Sequence, residues 1–335
     1  MTNAPESFIT LIVPFRNEEL FLERCVRSLL ELDFPAERYE IVLSDDGSTD
    51  NSVSIAQELA SQFPHKIRVL IGSGRKGPGP AMNAAVASAY GDICARVDAD
   101  AFVDKNYLKT ICPHFDNSEV QAVVPQVKFI QQSEKTEWPT LYSKQAHGFA
   151  AFRREAFKQA GCYDPRFLKR VEFLGAPVTF FFREDTDLLL SLIDHGYGVV
   201  FEEQGIAFHE AYPVNLRLLI VWGLNHMMDV LLLKKHPSSA RGYLGVIGSI
   251  ITKGTFTFIA TNLAILLFAI SIRSAWWSLV LMTGVLLSIA YLMAAIFYKS
   301  LTTAPMFRPF ALYAYLAACF MGRIYGSATF RRLLL

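Results

Sequence analysis

Over the first two hundred positions, apolar residues come in short runs that end at polar turns, alternating with stretches where they recur at helical spacing. FITLIV (8–13) is apolar and β-rich, and Pro14 closes it, which predicts a buried strand. Leu20, Leu22, Val26, Leu29 and Leu30 then share one face of a predicted helix. EIVLSDDGSTD (40–50) predicts a second strand running into an acidic turn, with Ser48 or Asp50 placed to cap a helix that opens near Ser52. IRVLI (67–71) predicts a third strand, followed by a glycine-proline loop and the helix AMNAAVASAYG (81–91). DICARVD (92–98) predicts a fourth strand. Strand and helix in alternation call for an α/β fold, a mostly parallel sheet with helices on both faces. Ligands of such sheets bind beyond the carboxyl ends of the strands. Asn17 and Glu18, Asp45 and Asp46, and Asp98 and Asp100 all follow strand ends, so one shared acidic rim is expected.

The pattern changes after residue 210. PVNLRLLIVWGLNHMMDVLLLKKHP (213–237) has apolar residues at helical spacing, Trp222 as an interfacial anchor and Lys234 and Lys235 at its end. It predicts an amphipathic helix lying on a membrane surface, with a core helix of the soluble part as the alternative. Residues 254–272 and 274–298 carry no formal charge. As helices they would be about 28 Å and about 37 Å long, against a hydrocarbon core of about 30 Å, and they predict a transmembrane hairpin. A third apolar run, 309–322, is bounded by Arg308 and Arg323 and is short for a span. Crossing would place Arg323, Arg331 and Arg332 opposite the soluble part, against the positive-inside tendency, so an interfacial or re-entrant helix over about 309–325 is expected. The expected organisation is a soluble domain over 1–210, interfacial helices over 211–253 and a membrane segment over 254–335.

Net charge changes the picture little. With 32 basic and 31 acidic residues, no overall field points to nucleic acid. The five cysteines form no CxxC pair and suggest neither a zinc site nor a disulfide frame. MTNAPESF lacks a basic-then-apolar leader, which together with the hairpin predicts a multi-pass protein of the cell (inner) membrane with its soluble domain in the cytoplasm.

The chemistry concentrates in ARVDADAF (95–102), where Asp98 and Asp100 stand one residue apart. Two such carboxylates repel, and a divalent cation removes the repulsion; hard oxygen ligands suit Mg²⁺ or Mn²⁺ bridging to a substrate diphosphate. GSGRKG after the third strand matches GxGxxG at Gly72, Gly74 and Gly77. Pro78 and Pro80 remove N–H groups that a dinucleotide's pyrophosphate would need, so a loop beside a ligand phosphate, with Arg75 and Lys76 suited to it, is the preferred reading.

VPFRNEE (13–19), SDDGSTDNS (44–52), VDADAF (97–102), FRREAFKQAGCYD (152–164) and REDTDL (183–188), in that order and spacing, resemble the family 2 glycosyltransferases of GT-A fold. The resemblance implies sugar transfer from a UDP- or GDP-linked donor with inversion. It implies that Pro14, Glu18 and Asp46 lie against the nucleoside with Asp45 close by, and that Asn17, Arg75, Asn83 and Glu184 join them at the substrate. Asp100 would bind the metal and Asp98 would contact the ribose or the metal and its water shell, with His209 as a further metal or phosphate contact and Asp185 as general base. The catalytic domain followed by a small membrane segment looks most like transferases of the exopolysaccharide type, and the Gln-x-x-Arg-Trp of processive synthases is absent before Trp222. A lipid-linked or other glycan acceptor and contact with membrane lipids are therefore expected. The alternatives are a polyprenyl-phosphate glycosyltransferase making a lipid-linked monosaccharide and an inactive nucleotide-binding scaffold.

Overall fold

The structure is a computed structural model and describes residues 7–74, 76–130, 147–173, 176–210, 216–244, 246–247, 251–252, 255–256, 259–260, 262–264, 267 and 308–335. The chain divides into two compact units, Met1–Leu168 with Glu184–Tyr212, and Lys169–Arg183 with Pro213–Leu335. The second unit therefore takes a segment from within the 1–210 stretch as well as the C-terminal part.

The first unit is built on an eight-stranded sheet in the order β3-β2-β1-β4-β7-β6-β10-β5. Its strands are β1 (Ile9–Phe15), β2 (Tyr39–Asp45), β3 (Ile67–Leu70), β4 (Ile93–Arg96), β5 (Ala101–Val103), β6 (Val120–Ile130), β7 (Ala151–Arg153) and β10 (Gly198–Glu210). β3, β2, β1 and β4 run parallel, as do β6 and β10, while β7 and β5 are antiparallel to their neighbours. Every residue of β1 is buried, as expected of a strand covered on both faces. The strand does not stop at Pro14. It runs on to Phe15, pairing with β2, because β4 reaches only as far as Ile12 and leaves the proline's missing N–H without consequence on that side.

Helices α1 (Leu22–Leu30), α2 (Ser52–Gln62), α3 (Pro78–Ser88), α4 (Tyr107–Ile111), α5 (Arg154–Gln159) and α6 (Glu184–Asp194) complete this unit. Alternation along β1 divides the core in two. Ile9, Leu11 and Val13 join Leu22, Val26 and Leu29 of α1 and Leu59 of α2, whereas Ile12 joins Met82 and Val86 of α3, Phe157 of α5 and Leu188 and Leu192 of α6. Each such side chain contributes about 1.5–3 kcal/mol when fully buried. Leu20 stands outside this pattern: it precedes α1 and is 82% exposed, and Cys25 fills the buried face instead. The third helix opens at Pro78, three residues before its predicted start, since proline is well tolerated in a first turn, where no N–H partner is required.

In the second unit β8 (Leu168–Phe173) and β9 (Ala176–Phe181) form a two-stranded sheet. Its helices are α7 (Leu216–Asn225), α8 (Met227–Lys235), α9 (Ser239–Leu244) and α10 (Arg308–Phe330). The predicted surface-lying helix of 213–237 is broken at His226, and α8 buries every residue from Met227 to Leu233. It is therefore a core element of its unit, without a free apolar face. Gly223, Gly322 and Gly326 let α10 approach this pair closely; a Cβ on Gly322 would stand 2.6 Å from the Leu224 carbonyl oxygen.

α10 continues past Arg323 to Phe330, beyond the predicted end of the 309–325 helix. The arginine that seemed to close the apolar run is buried and neutralised: its Nη2 lies 2.9 Å from Asp229 Oδ2. Asp229 is fully buried and also receives Arg183 Nε at 2.8 Å and His226 Nδ1 at 2.6 Å. Burial alone would push its carboxyl up, but His226, Arg183 and Arg323 hold it well below the usual carboxylate range. Among the described residues no helix is long and apolar enough to cross a membrane. Of the predicted hairpin, 274–298 lies outside the described residues, as do most positions of 254–272.

Candidate active site

The polar ends of β1, β2 and β4 form the rim. After β1, Asn17 adopts a left-handed backbone (φ 57°), and its Oδ1 accepts the Thr49 N–H at 2.8 Å. The Glu18 N–H donates to Ser52 Oγ at 2.7 Å. These bonds tie the VPFRNEE loop to the SDDGSTD loop. Asp45 is turned onto its own loop, accepting the N–H groups of Gly47 (3.0 Å) and Ser48 (2.8 Å). Asp46 accepts the N–H groups of Lys76 (2.6 Å) and Gly77 (2.8 Å), so its carboxylate fixes the glycine-rich loop at the head of α3. That occupies the amides a dinucleotide's pyrophosphate would use, with prolines at 78 and 80, and removes the physical basis of the GxGxxG match. A cavity of about 230 Å³ remains beside this loop, lined by Ser44, Asp45, Asp46, Gly72 and Lys76 among others. Arg75 lies outside the described residues.

β4 delivers the acidic pair. After Arg96 the chain turns through Asp98–Asp100, with the Ala101 N–H donating to the Asp98 carbonyl at 3.0 Å, and re-enters the sheet as β5. β10 runs antiparallel to β5 and sets His209 opposite Ala101. This register puts His209 Nε2 3.2 Å from Asp100 Oδ1, and one ligand atom from each of Asp98, Asp100 and His209 lies within 4.8 Å of the others. Glu18 joins the same field: burial, then the charges of Asp100 and Asp98, push its carboxyl up to about 7. Acids crowded in this way are stabilised by a nearby positive charge. Two carboxylates and an imidazole form a donor set that suits a divalent cation of the Mg²⁺ or Mn²⁺ kind.

A second acidic group opens α6. Burial, and next the charge of Asp185, push the Glu184 carboxyl up to about 7, while Arg96 opposes the shift. Asp185 Oδ1 accepts the Thr186 N–H at 2.6 Å. Asn83 is engaged elsewhere: its Nδ2 donates to the Tyr163 carbonyl and its Oδ1 accepts the Tyr163 N–H, both at 2.9 Å. Pro14 is buried within β1, one residue before the β2-paired end of that strand.

Residues 10–174 match the Glycosyl transferase family 2 model. These residues are a family 2 glycosyltransferase domain. A beta-monoglucosyldiacylglycerol synthase of Synechocystis sp. is 36% identical to the chain over 115 residues, 34% of this chain and 24% of the relative. In Methanococcus voltae, a dolichyl N-acetyl-alpha-D-glucosaminyl phosphate 3-beta-D-2,3-diacetamido-2,3-dideoxy-beta-D-glucuronosyltransferase is 26% identical over 204 residues, 57% of this chain and 63% of the relative. The chain thus spans about a quarter of the first relative and under two thirds of the second. Among solved structures, the mannosyltransferase PcManGT from Pyrobaculum calidifontis, in complex with GDP-Man and Mn²⁺, superposes with a TM-score of 0.67 at 19% identity, covering 96% of this chain and 88% of that one. The fold of the family 2 domain is accordingly GT-A-like, with its mostly parallel sheet.

Three residues of this domain's rim escape sequence reasoning. Arg96 Nε donates to Asp98 Oδ1 at 2.9 Å from a buried position. Tyr163 is fully buried, its ring centroid 5.9 Å from the Arg96 guanidinium carbon. Gly148 covers the pair so closely that a Cβ there would sit 3.3 Å from Asp98 Oδ2. The available signal was a charged residue, Arg96, ending an otherwise apolar strand two positions before Asp98, on the same side of the chain.

Proposed function

We propose that the chain is a membrane-associated, inverting glycosyltransferase that moves a sugar from a UDP- or GDP-linked donor to a hydroxyl of a lipid-linked or other glycan acceptor. The observation that carries this reading is the convergence of Asp98, Asp100 and His209 within 4.8 Å on a family 2 glycosyltransferase domain. Those three residues would hold Mg²⁺ or Mn²⁺. When bound, the ion supplies Lewis-acid stabilisation of the departing diphosphate, a contribution of several kcal/mol.

The remaining work falls to the chain's own groups. The cavity beside Asp45, Asp46 and Lys76 takes the nucleoside side of the donor. Asp185, its Oδ1 fixed by the Thr186 amide, receives the acceptor hydroxyl's proton as the acceptor oxygen bonds to the anomeric carbon and the bond to the diphosphate oxygen breaks. One displacement inverts the anomeric centre and needs no nucleophilic side chain. Glu184 lies beside Asp185 in the first turn of α6.

A lipid acceptor and membrane association are supported by the charge-free runs 254–272 and 274–298 and by the names of the two relatives, one a diacylglycerol-lipid synthase and the other acting on a dolichyl phosphate sugar. The test is a screen of UDP- and GDP-sugars against the membrane fraction with Mn²⁺ or EDTA. Transfer to a lipid extract with inverted anomeric configuration, abolished by EDTA, is the expected result. Absence of any metal-dependent release of sugar from every donor would contradict it.

A further inference from the structure

Arg96 is the residue of the rim whose environment the transferase reading leaves unexplained. It ends β4, its side chain is only 9% exposed, and its Nη1 is shut from solvent with no hydrogen-bond partner. Its Nε is committed to Asp98 Oδ1, with Tyr163 on one side and Gly148 over the guanidinium, where a Cβ would come within 3.7 Å of both Cζ and Nη2. Tyr163 is itself clamped through both backbone groups by Asn83. A charged fork held this tightly, with one arm unsatisfied, is a costly arrangement for packing alone.

We propose that Arg96 is a positioning residue: its Nε bond aims the Asp98 carboxylate at the cation position shared with Asp100 and His209. This rests on the transferase reading above. Loss of the Nε bond releases the carboxylate to swing from Asp100 and His209.

The experiment uses the full-length chain and three variants. In Arg96→Gln, which removes the Nε donor, Mn²⁺ affinity is expected to fall at least about tenfold, read without donor by electron paramagnetic resonance of free Mn²⁺. Arg96→Lys keeps the charge but not the Nε geometry and is expected to recover only part of that loss. Gly148→Ala keeps Arg96 but crowds it and Asp98, and is expected to weaken Mn²⁺ binding several-fold in the same titration. Should Arg96→Gln not fold, the Gly148→Ala titration decides. Wild-type Mn²⁺ affinity in a folded Arg96→Gln variant, or in Gly148→Ala, would overturn the proposal while leaving the transferase reading intact. Wild-type protein that neither binds Mn²⁺ nor releases sugar would sink both.

Discussion

His209 Nε2 lies 3.2 Å from Asp100 Oδ1, although one residue ends the long last strand of the sheet and the other sits in the turn after β4. The antiparallel pairing of β10 with β5 alone makes them neighbours. A histidine supplied by the sheet itself is more rigid than one on a loop, and rigidity is what a metal site requires of its ligands.

Replacing either partner therefore has a defined outcome. Asp100→Asn removes a ligand charge and is expected to weaken Mn²⁺ binding by at least about 100-fold. His209→Ala should cost at least about 10-fold, the loss that commonly follows even when only a ligand's outer-shell partner is removed. Calorimetric titration of each variant checks this, and equal affinities in both variants and wild type would remove the residues from the site.

The two acids that open α6 can be told apart by kinetics. Asp185→Asn is expected to lower kcat by about 10²–10⁴-fold with the donor KM changed only a few-fold, as for loss of a general base. Glu184→Gln keeps the base and is expected to cost far less in kcat. If Glu184→Gln proved the more damaging, with Asp185→Asn nearly active, the roles would be reversed.

Stability carries its own pH signature in the metal-free chain. The folded-state pKa of Glu184 is raised from 4.5 to about 7, so between those values the folded chain binds more protons than the unfolded one. Stability from this residue is complete below about pH 4.5 and is lost as pH rises through about 7. Glu18 acts in the same direction with a smaller share, being more open to solvent. Against wild type, Glu184→Gln should thus gain in Tm progressively from pH 5 to pH 8. A Tm difference that stays flat across that window would show that Glu184 titrates normally.

The ionic node of the second unit makes a prediction about folding. Asp229 is fully buried and answers Arg183, His226 and Arg323 together. Asp229→Asn leaves the two arginines without their counter-charge and is expected to cost about 3–5 kcal/mol, read from urea unfolding in detergent. A loss below about 1 kcal/mol would mean that the cations find other partners.

Much of this was legible in the sequence, for physical reasons that differ by element. The strands β1, β2 and β4 announced themselves because parallel strands buried on both faces are continuous apolar runs, and the acids after them marked the rim. Leu20 misled because helical spacing extended two residues ahead of the true start of α1. Arg323 misled because a charge in an apolar run reads as an end unless its counter-ion, here Asp229, is known to be near. Asp46 and Asn83 could not be read as the backbone clamps they are, since their partners Gly77 and Tyr163 are set by loop geometry that no local pattern encodes. Arg96 stayed hidden because a lone arginine at a strand end is usually a solvated one.

The most direct test of the central claim is calorimetric titration of UDP and GDP into the purified chain, with and without Mn²⁺, beside the Asp100→Asn variant. One of the two nucleotides is predicted to bind at least about tenfold more tightly with Mn²⁺, and that gain should vanish in Asp100→Asn. Nucleotide affinity indifferent to Mn²⁺, or an undiminished Mn²⁺ response in the variant, would contradict a metal-held diphosphate at Asp98, Asp100 and His209.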